Sequence, residues 1–280
     1  MWSVSHPDFD AGETYALCIS RVRNVGLRRR LNAIRGAIEA ASVDYEVHGD
    51  NATLHQVAAS PMVGAVTADE LVAVYDQRMA GKSGPGRGIY DHIKMLPKGD
   101  RCPFCDQRNV STLDHVLPKA EYPSLAVAPL NLVGACMECN NVKKNLAPIN
   151  AVDVVLHPYF DDITGTQWLK ASVVQQIPCA LTFSVVPPPA WSATLTARAI
   201  NQFSLLGLAS LYSSEAAREL ANIRHNLAQH FGAGGAAAVK AELTRQWHSR
   251  RMSSTNSWQT AMYEAISRDD WFCDGGFAQG

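Results

Sequence analysis

Residues 102–119 read CPFCDQRNVSTLDHVLPK, and residues 131–145 read NLVGACMECNNVKKN. Two C-x-x-C pairs, Cys102/Cys105 and Cys136/Cys139, thus bracket an adjacent Asp114 and His115. Each C-x-x-C turn aims two thiolates at one cation, and four thiolates complete the tetrahedron that structural zinc prefers. A redox role is the competing reading, but two matched pairs without a thioredoxin-like βαβ context argue against it. The 30 residues between the pairs exceed the roughly 15–20 of a simple zinc ribbon, so something is inserted between the knuckles. That insertion carries the Asp-His pair. With all four thiolates closed around it, the zinc has no open position and is expected to be structural.

The flanks set the context. Of the 280 residues, 47% are apolar and 18% charged, which predicts an ordinary folded chain and excludes a disordered one. No apolar run approaches the roughly 18 residues of a membrane span, and the start, MWSVSHPDFDAGE, lacks the basic and apolar regions of a secretory signal. Cys18, Cys179 and Cys273 are scattered singly, which suits a reducing, cytoplasmic location better than a disulfide framework. Residues 9–43 carry apolar positions at helical spacing, with a break expected at Gly26. A helix is expected over 68–80, with Thr67 and Glu70 at capping-box spacing, then a flexible GKSGPGRG connector and a short helix over 88–96. WLKASVV (168–174) and ALTFSVV (180–186) read as strands. From about Arg198 the chain reads as helical again, with GAGG (232–235) separating two helices.

The net charge of −1 does not advertise a nucleic-acid ligand, so such a ligand would need local patches. One stands out: Arg21, Arg23, Arg28, Arg29, Arg30 and Arg35 occur without an acid among them. The plain alternative is a solvated helix face.

In its order, spacing and residue types the central block resembles the HNH, or ββα-metal, nucleases of the zinc-stabilised kind. The shared pattern is C-P-F-C, then L-D-H-V-L-P-K, then N-L-V-G-A-C-M-E-C-N-N-V-K, and it covers 102–145 without extending to the flanks. The implied fold is α+β. A central ββα-metal motif with four-cysteine zinc knuckles would occupy 97–150, between a helical region (1–96) and an α+β, mainly helical region (151–280). The resemblance implies a metal-dependent endonuclease with His115 as general base, since a neutral imidazole accepts protons near pH 7. It also implies Asp114 and Asn140 as ligands of a catalytic Mg²⁺ or Mn²⁺, both hard oxygen donors. Asn131 would orient the loop and the His backbone, and Lys143 would be a helix cation on the phosphate. Because neighbours on a regular strand face opposite ways, Asp114 and His115 are expected where the strand ends, ahead of Pro118. His157, in LHPYFDD, is more simply structural than part of the site.

Two other classes stay open. A non-catalytic zinc-ribbon module, binding nucleic acid or a partner, needs the cysteines but has no use for Asp114, His115 and Asn140 together. An RNA-cleaving enzyme remains beside a DNA-cleaving one, because such a site grips phosphate and does not read the 2′-hydroxyl. Long unfamiliar flanks look like those of effectors in bacterial anti-phage defence or restriction, such as the HNH partner of Septu-type ATPases. That organisation suggests an ATPase or sensor protein as partner.

Overall fold

The computed structural model describes residues 3–278, whose contacts divide into one compact unit up to Asp162 and a second from Ile163 onward. Three helices open the first unit: α1 (Ala11–Ile19), α2 (Val25–Ala33) and α3 (Arg35–Asp50). The first break falls at 20–24 and not at Gly26, because Asn24 caps α2: its Oδ1 accepts from Leu27 N–H at 2.9 Å. Asparagine at an N-cap decides the boundary, while a glycine in the first turn is tolerated.

A short hairpin, β1 (Met62–Val63) with β2 (Val66–Thr67), leads into α4 (Ala68–Val74), where Thr67 and Glu70 form the expected capping box. Past α4 the helix widens for one turn over Tyr75–Met79, and Ala80 N–H reaches back five residues to Tyr75 O at 2.8 Å. Such π turns recur at functional positions. This one carries Tyr75. Helix α5 (Arg87–Met95) follows the glycine-rich connector.

Strands β3 (Thr112–His115) and β4 (Leu132–Ala135) pair antiparallel, Asp114 opposite Val133 and His115 opposite Leu132, and α6 (Met137–Lys143) follows directly. A side-chain carbon on Gly134 would lie 2.9 Å from Pro97 Cγ and 3.0 Å from Lys94 O, so glycine is what lets the end of α5 rest on β4. Leu113 and Leu132 share one apolar core with Tyr15, Leu31, Ile38, Leu71, Met79 and Ile93. The hairpin that carries Asp114 and His115 is therefore held by helices from the first hundred residues.

In the second unit β5 (Leu169–Val174) and β6 (Ala180–Val185) form the antiparallel pair that alternation predicts. Four helices follow: α7 (Ala193–Leu205), α8 (Leu208–Ser253), α9 (Trp258–Arg268) and α10 (Asp270–Cys273). Helix α7 starts ahead of Arg198 because Ser192 Oγ caps it, accepting from Leu195 N–H at 3.1 Å. GAGG bends α8 at Gly234 and Gly235, the latter at φ 64°, a left-handed value that other residues adopt only with strain. Asn256 ties the helices to the hairpin: its Oδ1 accepts from Trp168 N–H (2.8 Å) and Leu169 N–H (3.3 Å), and its Nδ2 donates to Thr166 O (2.9 Å). The chain is thus α+β, mainly helical with small antiparallel sheets. Among the described residues no helix is long and apolar enough to cross a membrane.

Candidate active site and metal centre

Cys102 and Cys105 lie on the loop before β3. Cys136 follows β4 and caps α6, and Cys139 sits in its first turn. All four are buried, their Sγ atoms lie within 4.8 Å of one another, and those of Cys105 and Cys136 are 3.9 Å apart. A tetrahedron with metal–sulfur bonds of ~2.3 Å has edges of about 3.8 Å, so the spacing fits one ion. Backbone N–H groups of Arg108 and Cys139 donate to Cys105 and Cys136 Sγ at 3.5 and 3.4 Å, and Arg108 Nε faces Glu138 at 3.6 Å, joining the two knuckles. Four thiolates so close together repel one another, and a cation bound by all four removes that conflict. The four cysteines can hold a metal ion such as zinc. No other group of three or more His, Cys, Asp or Glu is so placed among the described residues.

Beside this cluster the end of β3 lines a cleft of about 360 Å³ whose walls include Tyr75, His115, Lys119, Asn140 and Lys144. His115 is the last residue of β3 and is half-buried, whereas Asp114 is 1% exposed. The His115 Nε2 lies 2.9 Å from Ala126 O. A carbonyl only accepts, so Nε2 carries the hydrogen and Nδ1 carries the lone pair. Burial, helped by Lys119 and Lys143, pushes the imidazole down to about 3 against the Ala126 hydrogen bond, so the ring is neutral at pH 7. Tyr75 packs its edge against the His115 ring, centroids 4.4 Å apart at 71°. Lys119 lies 4.5 Å from the Tyr75 ring centroid and pairs with Asp76.

Asn131 is fully buried at the far end of the loop. Its Oδ1 accepts from Leu117 N–H (2.8 Å), and its Nδ2 donates to Leu117 O (2.9 Å) and Leu125 O (3.3 Å). It therefore closes the loop whose next residue, Ala126, fixes His115. Asn131→Ala would strip partners from Leu117 and Leu125 groups that are themselves buried. A loss on the order of 3 kcal/mol is expected, to be read from the denaturant midpoint.

The remaining candidates separate. The half-buried Asn140 lines the cleft and its side-chain amide has no hydrogen-bond partner among the described residues. Lys143, implied as the phosphate contact, is turned inward instead. Its Nζ donates to Asp114 Oδ2 at 2.6 Å, with the two side chains 5% and 2% exposed. Desolvation raises the Asp114 carboxyl, and Lys143 opposes that shift. Lys144 takes the cleft-facing place, at a φ of 42° that non-glycine residues seldom adopt. Of the two residues implied as ligands of a divalent ion, Asp114 is thus paired with Lys143, while Asn140 faces the cleft. His157 lies elsewhere, 1% exposed, its Nε2 2.9 Å from Tyr45 Oη and its ring packed on Phe160. Sequence reasoning missed Tyr75 altogether and gave Lys119 no role, although Lys119 stands in the quoted motif. A tyrosine about forty residues upstream carries no local signal for this cleft.

Fold and site together define an α+β protein with a four-cysteine candidate metal centre set against a histidine-bearing, lysine-edged cleft. The chain belongs to the family of protein ea31 of Escherichia phage lambda, with which it shares 30% identity over 228 residues, covering 76% of this chain and 77% of that protein. No family model matches the chain, and no solved structure does.

Proposed function

We propose that this protein is a nuclease of the HNH kind that hydrolyses phosphodiester bonds, in DNA before RNA. The observation that carries the reading is His115: a neutral imidazole, its tautomer set by Ala126, on the wall of a cleft edged by Lys119, Lys144 and Asn140. In this reading Nδ1 takes a proton from water as the oxygen bonds to phosphorus; the bridging ester bond breaks with its electron pair on the leaving oxygen, which takes a proton from solvent water. Lys119 and Lys144 supply positive charge for the phosphate oxygens, and the Asn140 amide donates to one of them. The antiparallel β3–β4 pair followed by α6 supports the resemblance in shape, and the cysteines, closed on zinc, would hold α6 against the hairpin.

A nucleic acid also needs a surface for its backbone. Arg21, Arg23, Arg28 and Arg29 are exposed and carry no ion pair among the described residues, whereas Arg30 pairs with Glu70 and Arg35 with Glu39. Changing those four arginines to Gln is expected to weaken duplex binding for every sequence. It should also flatten the salt dependence by about 0.9 in slope per lost phosphate contact. Fluorescence anisotropy at several salt concentrations measures both.

The test of the function is incubation of the purified protein with plasmid DNA and with RNA, with and without added Mg²⁺ or Mn²⁺, beside His115→Ala. Cleavage by wild type and not by the variant supports the reading, and the substrate cut assigns DNA or RNA. Binding without cleavage of either would favour the non-catalytic zinc-ribbon alternative.

A further inference from the structure

Lys143 is fully engaged where it stands. Its ammonium has three donors, and three partners surround it: Asp114 Oδ2 at 2.6 Å, His115 O at 3.5 Å and the Phe104 ring, whose centroid is 5.1 Å away. The residue ends α6, whose start is fixed by Cys136 and Cys139, while Asp114 comes from β3. The pair thus bridges the two elements that form the cleft. Asp114 is the one carboxylate among the residues lining that cleft, against two lysines, Lys119 and Lys144. A divalent cation arriving there would meet a carboxylate already paired with Lys143, with Lys144 and the Asp76-paired Lys119 beside it.

We propose that Lys143 is the resident cation of this cleft: its ammonium holds the place at Asp114 that a divalent ion would take, and such an ion binds there only by displacing it. As folded, the cleft offers a phosphate fixed ammonium charge and does not recruit a divalent metal through Asp114. The inference deepens the nuclease reading of the same cleft, but its test measures cation binding, so a failure of cleavage and a failure of this inference are separate results.

The experiment titrates Mn²⁺ into the zinc-loaded full-length protein and follows the free-ion signal by electron paramagnetic resonance. Wild type and Lys143→Arg, which keeps a cation at Asp114, are expected to bind Mn²⁺ weakly and alike. Lys143→Met is expected to bind it at least about tenfold more tightly, because a unit positive charge beside the site has gone. Adding Asp114→Asn to that variant should abolish the gain. Equal affinity of wild type and Lys143→Met, with zinc content and far-ultraviolet circular dichroism unchanged, would overturn the proposal. Should Lys143→Met lose its zinc, wild type against Asp114→Asn decides. Tight Mn²⁺ binding in wild type that Asp114→Asn removes overturns the inference, and weak binding in both supports it.

Discussion

His115→Ala is expected to lower cleavage by about 10²–10⁴-fold while leaving zinc content and melting temperature near wild type, the range that loss of a general base produces. The separation follows from geometry. His115 contributes a half-buried ring, one hydrogen bond to Ala126 and an edge contact with Tyr75, and it is not one of the four sulfur ligands. Gel quantification of initial rates, with zinc measured on the same samples, checks both halves. A variant that still cuts at the wild-type rate would remove His115 from the reaction. The pH profile adds a second check. With the folded imidazole at about 3, the base keeps its lone pair through neutral and mildly acidic pH and loses activity only as pH falls through that value. Stability responds earlier: below about 6.5 the unfolded chain binds the proton first, so acid favours unfolding across the window from there down to about 3. An activity limb already falling near pH 6 would mean that the ring sits in a more water-like environment than its burial implies.

How much of this was legible in the sequence depends on how local each signal is. Thr67 with Glu70 forms a cap within one turn, and the C-x-x-C pairs are contained within four residues each, so spacing alone located both. Asp114 and His115 could be placed at a strand end because alternation and Pro118 are local as well. The direction of Lys143 is a different kind of fact. Lys143 and Lys144 follow Asn140 by three and four residues, both spacings that share a helix face, and nothing in the string tells which lysine turns inward. That choice is made by the acceptors waiting on β3 and by the Phe104 ring of the first knuckle. Tyr75 is further still from legibility. It reaches His115 through a widened turn after α4 and through a core that joins residues 15–93 to the hairpin, and both are properties of tertiary packing. Gly26 misled because a glycine is a weak breaker beside an asparagine cap.

Cys136→Ala is expected to have the larger structural effect, with loss of bound metal and of the folded state of 102–145 together. Structural zinc sites contribute ~10–16 kcal/mol at neutral pH, against a typical whole-domain stability of about 5–15 kcal/mol, so little else in the block can replace the ion. Cys136 has a second task, since its Sγ caps α6 by accepting from Cys139 N–H. Removing it frees the helix that presents Asn140 to the cleft and Lys143 to Asp114. The variant should therefore lose cleavage for a reason unlike that of His115→Ala, and metal analysis with limited proteolysis separates the two. Cuts are expected within 102–145, while the unit from Ile163 onward, with its own hairpin and helices, keeps its protection. Chelation of the wild-type protein should reproduce the same cuts, and returning zinc should suppress them in wild type and not in the variant. Retained zinc and unchanged proteolysis in Cys136→Ala would show that the four sulfurs are not one binding site, and the reason for α6 holding its position would have to be sought in the Lys143–Asp114 pair alone.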